Sequence, residues 1–219
     1  MTRMLNARIA GFASLFYIAV GVSNEILTSR AISGEGTAAT LAHIAQHATD
    51  LRLAIILKLC ECFAAFVLAM AFYMITRDRN HELAMLGFVC RVVEGVFVAS
   101  LVPNVLGLLW LAKAQIGVEV PDAAARIALG AFLLRPGSAI GAIFFAVGNA
   151  IFSYLLLRGR MIPLFLAWWG VLSSFLLVIG LPLQLAGFLT GALTAYQWVP
   201  ATVFVPVLAF WLIIKGIQK

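Results

Sequence analysis

Apolar residues along this chain run in six long blocks separated by short polar stretches. A helix rising ~1.5 Å per residue needs ~20 mostly apolar residues to cross a ~30 Å hydrocarbon core. The blocks predict membrane spans over 9–27, 51–75, 83–111, 140–157, 162–185 and 198–214. The third is longer than crossing requires, and Pro103 offers it a place to bend. The expected fold is all-α: a single transmembrane domain over 1–219, built as a six-helix bundle.

Two of the polar stretches carry helical patterns of their own. In "SGEGTAATLAHIAQHATD", Thr37 is an expected N-cap, and Leu41, Ile44, Ala45 and Ala48 fall on one stripe. A second amphipathic helix is expected from Pro121 or Asp122 through "AAARIALGAFLL", stopped by "RPGS". Both read as interfacial helices roofing the outer end of the bundle. Gly137 with Gly141, and Gly187 with Gly191, have the four-residue spacing of close helix contacts. The first span has the basic start and apolar centre of a signal peptide, with a weak small-residue site at "GVS". The polar residues that follow make sense inside the bundle, so it reads as a retained anchor.

Composition agrees with the pattern. Of 219 residues 63% are hydrophobic and 11% charged, and a mean hydropathy of +1.06 lies far above that of a soluble domain. The net charge of +6 is spread along the chain, which assigns the basic residues to membrane edges and argues against a nucleic-acid surface. Cys60, Cys62 and Cys90 lie in apolar runs without metal-ligand spacing and read as small buried hydrophobes.

Orientation follows from lysine and arginine placement. With the N-terminus inside, the inner edge collects Arg3, Arg8, Arg77, Arg79, Arg158, Arg160, Lys215 and Lys219, against Arg30, Lys113, Arg126 and Arg135 outside. The aromatic belt is consistent, with Trp110, Tyr196 and Trp198 outside and Tyr73, Tyr154 and Trp211 inside. Both termini are therefore expected in the cytoplasm.

Inside the spans sit Lys58 and Glu61, in "LKLCECF", and Arg91 and Glu94, in "FVCRVVEGVF". A lone charge at mid-bilayer costs ~2.5 to 3.5 kcal/mol on insertion scales, so such groups face inward and find partners. Counting residues from the boundaries puts Lys58 ~10 Å, Glu61 ~15 Å, Glu94 ~14 Å and Arg91 ~18 Å below the outer surface. Matched depth predicts a crossed ladder, Lys58 with Glu94 and Glu61 with Arg91. Further out, Asn24, Glu25, Arg30, Arg52, Asn104 and Gln184 suggest a polar pocket open to the outside, with Glu25 within reach of Arg30 or Arg52.

Cofactor chemistry finds little support. His43 and His47 are spaced i, i+4 and form a weak metal pair without a third ligand. No histidine lies within a span to hold haem, and no Walker, Rossmann or hydrolase-triad pattern occurs. No cofactor is expected.

The blocks "ARIAGFASLFY", "GEGTAATLAHIAQHATDLRLA", "FVCRVVEGVF" and "IGAIFFAVGNAIFSYLLLRGRMIP" resemble, in order, those of a bacterial six-span membrane family of unknown function, domain-of-unknown-function family four-three-eight-six. The resemblance implies the fold and a place in the bacterial cytoplasmic (inner) membrane, and no activity.

Three functions are compatible with these residues. The first is a non-enzymatic protein that binds or moves a small apolar or amphipathic ligand or lipid through an outward-facing pocket. The second is an intramembrane lyase, isomerase or cyclase acting on a lipid or isoprenoid, with Glu61, Glu94 or Glu25 as general acid. The third is a structural or accessory subunit in a homo- or hetero-oligomer, covered by a partner along its uncharged fifth and sixth spans. All three place the chain in contact with the lipid bilayer.

Overall fold

The computed structural model describes residues 3–113, 122–134 and 139–217. Among these, every regular element is a helix: α1 (Arg3–Ala31), α2 (Thr37–Gln46), α3 (Ala48–Thr76), α4 (His81–Ser100), α5 (Val102–Lys113), α6 (Ala123–Leu133), α7 (Ala139–Arg158), α8 (Leu164–Leu185), α9 (Leu193–Tyr196) and α10 (Val199–Ile214). Six helical stretches are long and apolar enough to cross a membrane: Arg3–Ala31, Ala48–Thr76, His81–Lys113, Ile140–Arg158, Leu164–Leu185 and Leu193–Ile214. They overlap the six predicted blocks, the first and last reaching a turn or more beyond the prediction and the others ending within three residues of it.

The third block is two helices. α4 ends at Ser100 and α5 starts at Val102. Pro103 has no N–H to return to the carbonyl four residues back, and its ring disfavours helical geometry in the residue before it. The local ladder loosens accordingly, to 3.3 Å from Leu101 N to Val98 O and 3.3 Å from Val105 N to Leu101 O. In the last block, α9 and α10 are likewise separated at Gln197 and Trp198.

The chain divides into two compact units. Unit 1 comprises Met1–Ile18, Cys62–Phe97 and Ala139–Lys219. Its core joins Ala7 and Ala10 of α1, Phe72 and Ile75 of α3, Phe152 and Leu155 of α7, and Phe204 and Leu212 of α10. α7 packs along α8, and α8 against α10. α8 buries Ala167, Gly170, Ser173, Ser174 and Gly180 together with Leu166, Leu177 and Leu181, and exposes Phe165, Trp168, Leu172, Phe175 and Ile179. Small residues on the inward face let neighbouring helices approach closely, as lipid solvent favours. α1 approaches α10 closely at Gly11, where a Cβ would lie 2.7 Å from the carbonyl oxygen of Ala209.

Unit 2 comprises Ala19–Glu61 and Val98–Ser138. Leu41 and Ile44 of α2 are buried with Ala31, Leu51, Leu108 and Leu111, and α2 packs on α5 and α6. The stripe expected on α2 is thus narrower than its spacing suggests, since Ala45 is exposed and Ala48 opens α3. The N-cap is Gly36, at φ 90°, with Thr37 as the first helical residue. The second loop helix begins after Asp122. Pro121, Arg135 and Gly137 lie outside the described residues.

Caps explain several boundaries. Asn80 Oδ1 accepts from Leu83 N at 2.9 Å and starts α4. α7 and α8 both end in the six-to-one and five-to-two pattern of a Schellman motif: Met161 N to Leu156 O with Arg160 N to Leu157 O, and Phe188 N to Leu183 O with Gly187 N to Gln184 O. Gly187 therefore closes α8 at φ 81°, and neither it nor Gly191 has anything within 4 Å of a would-be Cβ. Their four-residue spacing is that of a turn, with no close helix contact among the described residues. In the first motif the left-handed position holds Arg160, at φ 50°. A side chain there costs about 1 kcal/mol relative to glycine. Arg160→Gly is expected to raise stability by about that amount, read as a higher thermal unfolding midpoint in detergent.

In the turn between α3 and α4, Asp78 pairs with Arg3. The hydrogen bond from Arg3, helped by the charges of Arg3, Arg77 and Arg79, holds the Asp78 carboxyl below its ordinary 3.8 despite some desolvation. Among the described residues Cys60, Cys62 and Cys90 form no disulfide.

Candidate functional site

The charged residues of the third span meet an acceptor and a donor within unit 1. Arg91 and Glu94, three apart on α4, form an ion pair with 2.5 Å between Nη1 and Oε2, a close ionic contact without hydrogen-bond alignment. Both are almost fully buried, at 4% and 2% exposure. Tyr17 of α1 donates its hydroxyl to the other carboxylate oxygen of Glu94 at 2.7 Å. The Arg91 guanidinium lies 5.5 Å from the centroid of the Tyr17 ring and 4.9 Å from that of Phe145. Cation–π contact of this kind is worth up to about 2 kcal/mol when desolvated and offsets part of the cost of burial. Space for the arginine stem comes from Gly148 of α7, where a Cβ would stand 2.9 Å from Arg91 Cγ.

Beside this pair unit 1 has a partly open cavity of about 170 Å³. Its walls are mainly apolar, with Tyr17, Phe72, Phe145 and Trp198 supplying aromatic surface and Leu68, Ala201, Val205 and Leu208 the rest. Five polar side chains line it: Ser14, Tyr17, Arg91, Asn149 and Thr202. Three hydroxyl donors are already committed, Ser14 to Ala10 O at 2.8 Å, Thr202 to Trp198 O at 2.9 Å and Tyr17 to Glu94. The Asn149 Nδ2 group is buried without a hydrogen-bond partner among the described residues.

The remaining sequence candidates are distributed as follows. Lys58 and Glu61 pair along α3 in unit 2, 3.6 Å apart, and the Glu61 carboxylate lies beside Gly21 of α1. Their pairing, like that of Arg91 and Glu94, is along one helix; the crossed pairs expected from depth would join residues assigned to different units. Asn24 is buried and donates to the Ala54 carbonyl at 2.7 Å, tying α1 to α3. Glu25, Arg30 and Arg52 are exposed, and Glu25 has no ion pair among the described residues. Asn104 is half-buried on α5. Gln184 accepts from Gln197 Nε2 at 2.6 Å, in unit 1. His43 and His47 stack at 4.4 Å, His43 next to Ser33 and the Ala31 carbonyl and His47 3.4 Å from Asp50. Among the described residues no group of three His, Cys, Asp or Glu side chains stands where it could hold a metal ion.

Sequence reading missed Tyr17, Phe145, Asn149 and Trp198 as site residues. Two carried a signal. Tyr17 sits in the middle of its span, away from the interfacial belt where membrane tyrosines concentrate, and Asn149 is the one amide in the fourth block.

Six apolar helices and an internal ion pair make this a multi-pass integral membrane protein. The chain belongs to the family described as Domain of unknown function (DUF4386), which matches residues 9–216. No curated protein and no solved structure matches the chain.

Proposed function

We propose that the protein binds, and in doing so moves or senses, a small apolar or amphipathic molecule in the cavity of unit 1, within the bacterial cytoplasmic membrane and with both termini in the cytoplasm. The observation that carries this reading is the cavity itself. Natural interiors close-pack, and an apolar space of about 150 Å³ is enough to hold benzene. A space of about 170 Å³, walled by four aromatic residues beside a buried arginine, has the make-up of a small-ligand pocket. Under the orientation given by lysine and arginine placement, Trp198 marks the outer end of the sixth span and Leu208 lies ~15 Å deeper. The lining then runs from the outer interface to mid-membrane, which makes the pocket outward-facing.

Two measurements test the reading. Saturating toluene is expected to raise the unfolding midpoint of the wild type by several degrees, because a ligand that binds only the folded state stabilises by mass action. Ala201→Phe, which fills the cavity from a buried wall position, is expected to abolish the shift; a toluene shift equal in both proteins sinks the proposal. For orientation, Glu35→Cys is expected to react with an impermeant maleimide added to intact cells, and Arg79→Cys only after the inner face is opened. The reverse labelling pattern rejects the topology.

A further inference from the structure

We infer that the ligand of this cavity is an uncharged, lipid-soluble molecule bearing one carbonyl-type oxygen, which accepts hydrogen bonds from Arg91 and Asn149. The inference rests on the binding reading above and adds the chemical class. Charge comes first. Arg91 is the cation of the lining, and its carboxylate partner Glu94 is held at 2.5 Å. An anionic ligand would displace or duplicate a counter-ion already in place, and a cationic one would face a guanidinium; either leaves a net charge in a medium where isolated charge is costly. A neutral ligand leaves the balance untouched.

Hydrogen-bonding capacity comes second. The hydroxyls of Ser14, Tyr17 and Thr202 have spent their donors on protein acceptors. Donors left over belong to Arg91, Asn149 and the indole of Trp198, of which Arg91 Nη1 and Asn149 Nδ2 are buried without a hydrogen-bond partner among the described residues. A guanidinium carries five N–H groups, and Glu94 is the one carboxylate partner of Arg91 among the described residues. Asn149 has an amide nitrogen without a partner. Asn149 lines the cavity and its terminal amide torsion is soft and two-fold, so the amino group can turn to meet a ligand acceptor. Buried N–H groups without acceptors are rarer than under-used carbonyls, so the site is completed by a ligand acceptor. The aromatic walls and the volume then select a flat or short apolar body.

The test compares ligands of one shape. Binding of acetophenone, ethylbenzene and benzoate to nanodisc-embedded protein is measured by equilibrium dialysis, counted above partition into empty nanodiscs. The ketone is expected to bind about tenfold more tightly than ethylbenzene, and benzoate more weakly than the ketone. Asn149→Leu is expected to keep ethylbenzene binding and lose most of the preference for the ketone. Equal affinity for ketone and hydrocarbon, tightest binding of benzoate, or a preference unchanged in Asn149→Leu overturns the inference while leaving a cavity that binds. Absence of saturable binding for all three overturns the binding reading and this inference with it.

Discussion

Glu94→Leu is expected to destabilise the protein by about 3–5 kcal/mol, the largest effect of any single substitution considered for this chain. The reason is asymmetry. Removing the carboxylate leaves the Arg91 guanidinium, 4% exposed, without its counter-ion, and also strips the acceptor from the Tyr17 hydroxyl. Two aromatic faces soften that loss but cannot replace a full negative charge. Adding Arg91→Met to Glu94→Leu is expected to recover more than half of the stability, because an apolar pair of similar volume needs no desolvation of charge. The double variant should stay about 1 kcal/mol short of wild type, the worth of the lost hydrogen bond from Tyr17 to Glu94. Denaturant unfolding in a mixed micelle reads all three values. Should the single and double variants lose equal stability, the pair would not be the local, self-compensating unit described above.

Gly170→Val is expected to cost about 3 kcal/mol, toward the upper end of overpacking effects. Gly170 sits where α8 meets both α7 and α10: a Cβ there would lie 2.4 Å from Phe204 Cζ and 2.7 Å from Ser153 Oγ. Phe204 is fully buried, so its ring cannot swing out to solvent, and the helices must separate instead. Shortening the ring with Phe204→Leu makes room, so the double variant is expected to be more stable than the sum of the two single losses implies. Strict additivity in thermal midpoints would show that these residues do not share the contact. The same crossing explains why the fifth span, free of charge and mostly apolar, still has a defined inner face: Gly170, Ser173 and Ser174 are buried there. In lipid, where apolar surface gains little by leaving its surroundings, small residues that let helices approach set the packing.

The two variants probe different parts of unit 1. Arg91 lines the cavity and Glu94 is its counter-ion, whereas Gly170 sits at the contact of α8 with α7 and α10. A loss of toluene binding in Gly170→Val at temperatures where the protein remains folded would therefore report on wall position, and a loss in the Arg91→Met, Glu94→Leu double variant on the lining itself.

How much of this was legible in one dimension depends on whether a property is local. The six spans were, because a run of apolar residues has to satisfy its own backbone in hydrocarbon and helix is the way one segment can do so. The break near Pro103 was legible for the same reason, since a missing N–H acts on its own turn. The three-residue spacing of Arg91 and Glu94 also shows that both lie on one face of α4, and the structure pairs them along that face. Spacing misleads where geometry changes within it: Gly187 and Gly191 suggest a helix contact, yet they follow the end of α8 and shape a turn.

What the amino-acid order determined alone is the membrane class, the number of apolar spans and the scarcity of buried charge. Only tertiary structure decided that Tyr17, Arg91, Phe145, Asn149 and Trp198, taken from four separate stretches of chain, border one cavity. Hydrophobic length is set by composition over some twenty residues. Helix rotation and neighbour choice are set by how distant side chains interlock, by a glycine at 148 admitting an arginine stem and a glycine at 170 admitting a phenylalanine ring, and those fits exist only once the helices are packed.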